Sequence, residues 1–131
     1  MVKCMSVYKD YEKEVKNKYG QTNAYKEYEV KTKEYSKDKW NNLSDGMNDI
    51  MQKFAECKNQ GLKFNSDEVL ILVKNLQYFI TKNYYNCTDE ILYGLGKMYV
   101  CDERFKNNID KHGSGTSEFI SKAIEYYCEN K

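Results

Sequence analysis

Proline is absent from all 131 residues, so nothing in the chain carries the ring that breaks helix interiors. Arginine is nearly absent as well: of 21 basic residues only Arg104 has the planar fork that clamps phosphates and carboxylates in bidentate fashion, which argues against phosphoryl-transfer chemistry. The basic residues are matched by 20 acidic ones, for a net charge of +1, and a long-range field that weak excludes a broad basic nucleic-acid surface. Histidine occurs once, as His112 beside the loop-like Gly113-Ser114-Gly115, and is expected to be an exposed loop histidine without a catalytic role. No uncharged apolar run approaches the ~20 residues that span a bilayer, and Met1-Val2-Lys3-Cys4-Met5-Ser6 does not open a signal peptide. A cytoplasmic chain without a membrane anchor is the expectation. Cys4, Cys57, Cys87, Cys101 and Cys128 are odd in number and lack C-x-x-C spacing, so they read as reduced thiols and not as a zinc site. No P-loop, dinucleotide, zinc-protease or serine-elbow pattern is present, so no catalytic residue, cofactor or metal is expected.

What is present points to one all-α domain over residues 1–131. Hydrophobic residues make up 40% and charged residues 31%, a globular balance in a chain with room for one core. Trp40, Leu43, Met47, Ile50, Met51, Phe54 and Cys57 follow the i, i+3, i+4, i+7 spacing of one helix face, with Ser36 as N-cap, Asp38 in the first turn and Gly61 as the stop. Ser66-Asp67-Glu68 opens a second helix that is apolar on more than one side through Ile80, which predicts the central, most buried helix. The run Val69-Leu70-Ile71-Leu72-Val73 alone could be a buried strand, but its continuation at helical spacing favours the helix. Thr88 caps a third helix carrying Ile91, Leu92, Leu95, Met98 and Tyr99, and Asp102 a short one with Phe105 and Ile109. Thr116 or Ser117 opens the last, with Phe119, Ile120, Ala123, Ile124 and Tyr127 inward. Leu43, Ile50, Phe54, Leu72, Leu76, Leu95 and Phe119 are the expected core.

Residues 1–35 differ in kind. Val7, Tyr8, Tyr11, Val15 and Tyr19 have helical spacing but few aliphatic neighbours, and Gly20-Gln21-Thr22 separates them from a second helix capped by Thr22 or Asn23. Tyrosine is the strongest compositional signal, at 13 residues. A tyrosine joins a large apolar face to one polar tip, which suits either a surface that grips varied ligands or the rim of a core. Gly94 and Gly96 interrupt the third helix at a cost of about 1 kcal/mol each, to be offset by close helix packing or by close approach of a ligand.

Asn83-Tyr84-Tyr85-Asn86-Cys87, then Leu95-Gly96-Lys97-Met98-Tyr99-Val100-Cys101-Asp102-Glu103-Arg104-Phe105 and Asn108-Ile109-Asp110, resemble the signature of the TipAS antibiotic-recognition domain. Upstream, Tyr19-Gly20-Gln21-Thr22-Asn23-Ala24-Tyr25, then Thr32, Tyr35 and Trp40, match further elements of that family in order. The resemblance implies a globin-like helical fold with a ligand cleft, closed over by mobile N-terminal helices at 1–35 against a core at 36–131. It also implies binding of a bulky hydrophobic or macrocyclic peptide antibiotic. In the family the domain is usually the effector half of a MerR-type transcription regulator, behind a helix-turn-helix and a coiled coil, neither of which is read within these 131 residues. A drug-sequestering protein or a piece of a longer regulator are both compatible with that, and no direct nucleic-acid binding by this chain is expected. The ligand contacts expected are Trp40, Phe79, Tyr84, Cys87, Ile91, Gly94, Met98 and Tyr99, with Cys87, Ile91, Gly94 and Met98 sharing one face by helical spacing. Gly94 stands where a covalently trapping family member has its cysteine, so binding is expected to be reversible. The rival reading is a structural or protein-interaction module without a small-molecule ligand.

Overall fold

The computed structural model describes residues 22–130. They form six helices: α1 Asn23–Thr32, α2 Lys37–Asn59, α3 Asp67–Asn83, α4 Asp89–Cys101, α5 Glu103–Asp110 and α6 Thr116–Glu129, and among the described residues there is no strand. The helix expected from Val7 to Tyr19 lies outside the described residues.

Five of the six helices start where a side-chain oxygen accepts an orphan amide, which is why the starts were readable. Thr22 Oγ1 takes the amide of Tyr25 at 3.2 Å, Ser36 Oγ that of Lys39 at 3.1 Å and Ser66 Oγ that of Val69 at 3.4 Å. Thr88 Oγ1 takes the amide of Ile91 at 3.2 Å and Asp102 Oδ1 that of Arg104 at 3.0 Å. The sixth start departs from the pattern: α6 follows Gly115, at φ 81°, with no side-chain cap. The helix opens at Thr116, as expected, but the Thr116 hydroxyl donates back to Gly113 O at 2.6 Å and caps no amide. Gly61 ends α2 as expected. At φ 82° it lets its own amide reach Lys58 O and that of Leu62 reach Cys57 O, each at 3.1 Å, a Schellman arrangement.

The core joins Phe54 of α2, Val69, Val73 and Leu76 of α3, Leu92 of α4, and Ile120, Ala123 and Ile124 of α6. Two expectations need correction. The hub is α6, which packs on α2, α3, α4 and α5, whereas α3 packs chiefly on α2 and α6 and leaves Ile71 and Tyr78 58% and 65% exposed. Apolar residues on several sides of a helix tell how much it could bury, not how many neighbours it has. Of the expected core, Leu43, Phe54 and Leu76 are buried, but Ile50, Leu72, Leu95 and Phe119 are half-buried and lean on the core from its margin. The two glycines of α4 divide the two explanations offered for them. A Cβ on Gly96 would lie 3.1 Å from Cγ2 of Ile124, so this glycine brings α4 against α6, while Gly94 is exposed with nothing within 4 Å.

Candidate functional site

Where α3 ends, Tyr84 becomes the centre of a wall of six aromatic rings drawn from three helices and the α1–α2 turn. Its ring stacks on Trp40 of α2 and on Tyr28 of α1, with centroids 6.2 and 6.3 Å apart and both pairs inclined at 27°. Phe79 meets Tyr84 edge-on at 6.2 Å. Tyr25 extends the row from Tyr28 at 5.9 Å, and Tyr35 packs its edge on Trp40 at 5.5 Å. All six rings are half-buried, so each keeps apolar surface within reach of a ligand. Lys39 Nζ sits 5.4 Å from the Tyr35 ring centroid, a cation–π contact at the rim.

Local sequence explains the assembly. Phe79 can lie against α2 because residue 46 is glycine: a Cβ there would stand 2.9 Å from Phe79 Cε2. α1 buries no residue fully and is fastened by polar side chains to the C-terminal end of α3. Lys31 Nζ donates to Thr81 O at 2.8 Å, where its charge also complements the negative end of the helix. Tyr35 OH donates to Asn83 O at 2.6 Å, and the Asn86 amide donates to Glu27 Oε1 at 2.8 Å. The buried Asn83 side chain spends its own donor on Phe79 O at 2.9 Å, which ties two wall positions together.

Beneath the wall, the segment between α3 and α4 is held by Gln77. Its Nε2 donates to Cys87 O and to Asp89 Oδ1, both at 2.9 Å, and its Oε1 accepts from Tyr127 OH at 3.3 Å. Cys87 is buried, its amide donates to Thr81 Oγ1 at 3.1 Å, and burial, with lesser contributions from nearby Cys128 and Asp89, pushes its thiol up to about 12. At neutral pH it is a protonated thiol, not a nucleophile.

Of the residues expected to contact a ligand, the structure brings Trp40, Phe79 and Tyr84 together. Ile91, Gly94 and Met98 lie on one side of α4, half-buried, exposed and half-buried in turn. The helical register extended to Cys87 is corrected: α4 starts at Asp89 behind the Thr88 cap, so Cys87 is off the helix and turned into the core. Tyr99 is buried too, against Phe105 at 6.3 Å, on the side of α4 that also buries Leu92 and Gly96. His112, expected to be exposed, is half-buried, with Nδ1 3.0 Å from Gln52 Oε1. The wall members not foreseen were Tyr25, Tyr28, Tyr35 and the supporting Gly46. Their signals were the tyrosine excess and a glycine in the middle of the most regular helix.

No helix of the described residues is long and apolar enough to cross a membrane, and no three of their His, Cys, Asp or Glu side chains are grouped so as to hold a metal. The family model of the TipAS antibiotic-recognition domain matches residues 11–127. The HTH-type transcriptional activator TipA of Streptomyces coelicolor is 32% identical over 114 residues, 87% of this chain and 45% of the relative. The HTH-type transcriptional activator mta of Bacillus subtilis is 32% identical over 121 residues, 92% of this chain and 46% of the relative. The chain therefore spans less than half the length of these curated relatives. A solved structure of TipAS from Streptomyces lividans in complex with nosiheptide superimposes with a TM-score of 0.83 at 30% identity, over 92% of this chain and 85% of that one. The globin-like helical fold implied by the sequence motifs is thus the fold of this chain.

Proposed function

The chain belongs to the TipAS antibiotic-recognition domain family, and on that footing we propose that it binds a bulky, mostly apolar antibiotic-type ligand against the ring wall of Trp40, Phe79 and Tyr84. The wall is the observation that carries this reading. Six half-buried rings from separate elements give up apolar surface to a multiring ligand at roughly 25 cal/mol per Å², while their positions are already set by packing. Ile91, Gly94 and Met98 extend the contact along α4, and Cys87 and Tyr99 support the site from below. Gly94 supplies no thiol and Cys87 is protonated, so the ligand is held reversibly.

The domain serves either as the effector-sensing part of a MerR-type regulator, a helix-turn-helix segment reading the DNA, or as a cytoplasmic sequestering protein. Neither role assigns a chemical step to any of its residues. Because Trp40 is the only tryptophan, its fluorescence reports on the wall directly. Titration with nosiheptide should change that emission saturably, and Tyr84→Ala should weaken the apparent affinity by about 10- to 100-fold, as expected for a central aromatic anchor. A titration that leaves the tryptophan signal flat, or a Tyr84→Ala chain that binds as well as the parent, would remove the wall from the site.

A further inference from the structure

A second groove lies at the other end of α2 from the ring wall. Lys58 is about 18 residues from Trp40 on that helix, and so about 27 Å along its axis. The groove is open to solvent and offers about 390 Å³ between the α2–α3 turn and the start of α6. That volume falls within the usual range for small-molecule sites. Leu62, Phe64 and Phe119 line it with apolar surface, and Lys58, Lys63 and Lys122 line it with positive charge, against a single carboxylate, Glu118.

The three lysines of this groove outnumber its one lining carboxylate. None of the three lysines has a carboxylate within ion-pair distance among the described residues. Lys58 is in addition placed over the positive end of α6: its Nζ lies 3.6 Å, and its Cε 3.1 Å, from where a Cβ of Gly115 would stand. Gly115 is the N-cap without a side-chain acceptor. The opening amides of Thr116, Ser117 and Phe119 go to Gly113 O, Asp110 Oδ1 and Gly115 O, but that of Glu118 finds no acceptor among the described residues. Asp110 already sets one carboxylate oxygen on the start of α6, and the free Glu118 amide with Lys58 beside it attracts a further anion.

We propose that this groove is a second binding site, for a small organic anion made of an aromatic or aliphatic body and one carboxylate or sulfonate. The body lies on Leu62, Phe64 and Phe119, and the acid faces Lys58, Lys63, Lys122 and the start of α6. This site is independent of the ring wall and does not rest on the antibiotic-binding reading.

The test compares two probes with the same kind of apolar body, 8-anilinonaphthalene-1-sulfonate and the neutral N-phenyl-1-naphthylamine, by calorimetry and by NMR mapping on the whole chain. The sulfonate should bind at least about tenfold more tightly than the neutral probe and shift the amides of residues 115–119 and 62–64. Changing Lys58, Lys63 and Lys122 together to Gln should abolish that preference while leaving helix content unchanged, since Lys63 and Lys122 are exposed and Lys58 is only half-buried. Lys63→Gln alone should weaken sulfonate binding by a smaller factor. Equal affinity for the two probes, shifts confined to Tyr28, Trp40 and Tyr84, or no sulfonate binding at millimolar concentration would each overturn the proposal.

Discussion

A methyl group added to Gly94 would meet nothing within 4 Å, whereas one added to Gly96 would press on the Ile124 side chain at 3.1 to 3.5 Å. The same substitution should therefore act in opposite directions two residues apart. Gly94→Ala removes backbone entropy from an exposed helix position and should stabilise the chain by about 0.4–1 kcal/mol. Gly96→Ala presses on the fully buried Ile124, which has little room to give, and should destabilise the chain by about 1–3 kcal/mol; urea denaturation of the two variants measures both. His112 offers a second test at this scale. Its Nδ1 faces Gln52 Oε1 and its Nε2 is buried with no partner among the described residues, so a proton added there gains no acceptor. Burial, and to a lesser degree the Lys111 charge, hold its folded pKa below 6.5. The unfolded chain then takes up the proton first as pH falls. His112 contributes its full stability above about pH 6.5, and that contribution shrinks as the pH drops from there toward the lower folded value. Denaturation at pH 7.5 and 5.5 should show His112→Gln losing less stability over that interval than the parent.

At the scale of the helix, α1 is the element whose attachment differs from the rest. It contributes no fully buried residue, and the parts that hold it are the rings of Tyr25 and Tyr28, the Glu27 and Lys31 hydrogen bonds and, just beyond it, Tyr35. Half-exposed polar fasteners each add only about 0.5–1.5 kcal/mol, against the much larger burial of α3 or α6. Amides of α1 should exchange with deuterium well before those of α3 and α6 in the free chain, and should slow when nosiheptide is bound to the wall. Equal protection of α1 and α6 without ligand would contradict this account. Helix existence was legible because it depends on local signals: Ser36, Ser66, Thr88 and Asp102 cap where the apolar period begins. The face each residue presents was less so. Cys87 was assigned a helical register that Thr88 cuts off, and Tyr99 shares an aromatic character with Tyr84 but looks the other way.

In the molecule as a whole, α6 is the piece against which the others are arranged, and Ile124 is its most consequential side chain: fully buried and directly opposite Gly96. Ile124→Ala should cost about 2–5 kcal/mol, because the helices around the cavity are held on several sides and cannot collapse into it. Thermal or urea unfolding would measure it, and a loss under 1 kcal/mol would show that the hub has been misplaced. Composition, periodicity and capping were sufficient for an all-α chain and the starts of its helices, since those properties arise between residues a few positions apart, whereas Trp40, Phe79 and Tyr84 were picked out by aromatic character under the family resemblance. The ordered motifs were sufficient for the family. Pairings across the chain came from packing alone: Phe79 on Gly46, Tyr35 on Asn83, Lys58 over Gly115, and Cys87 folded inward beneath Gln77. Each joins residues whose neighbours in sequence say nothing of one another, and side-chain direction, burial and the excess of lysines in a groove exist only once the helices have chosen their partners.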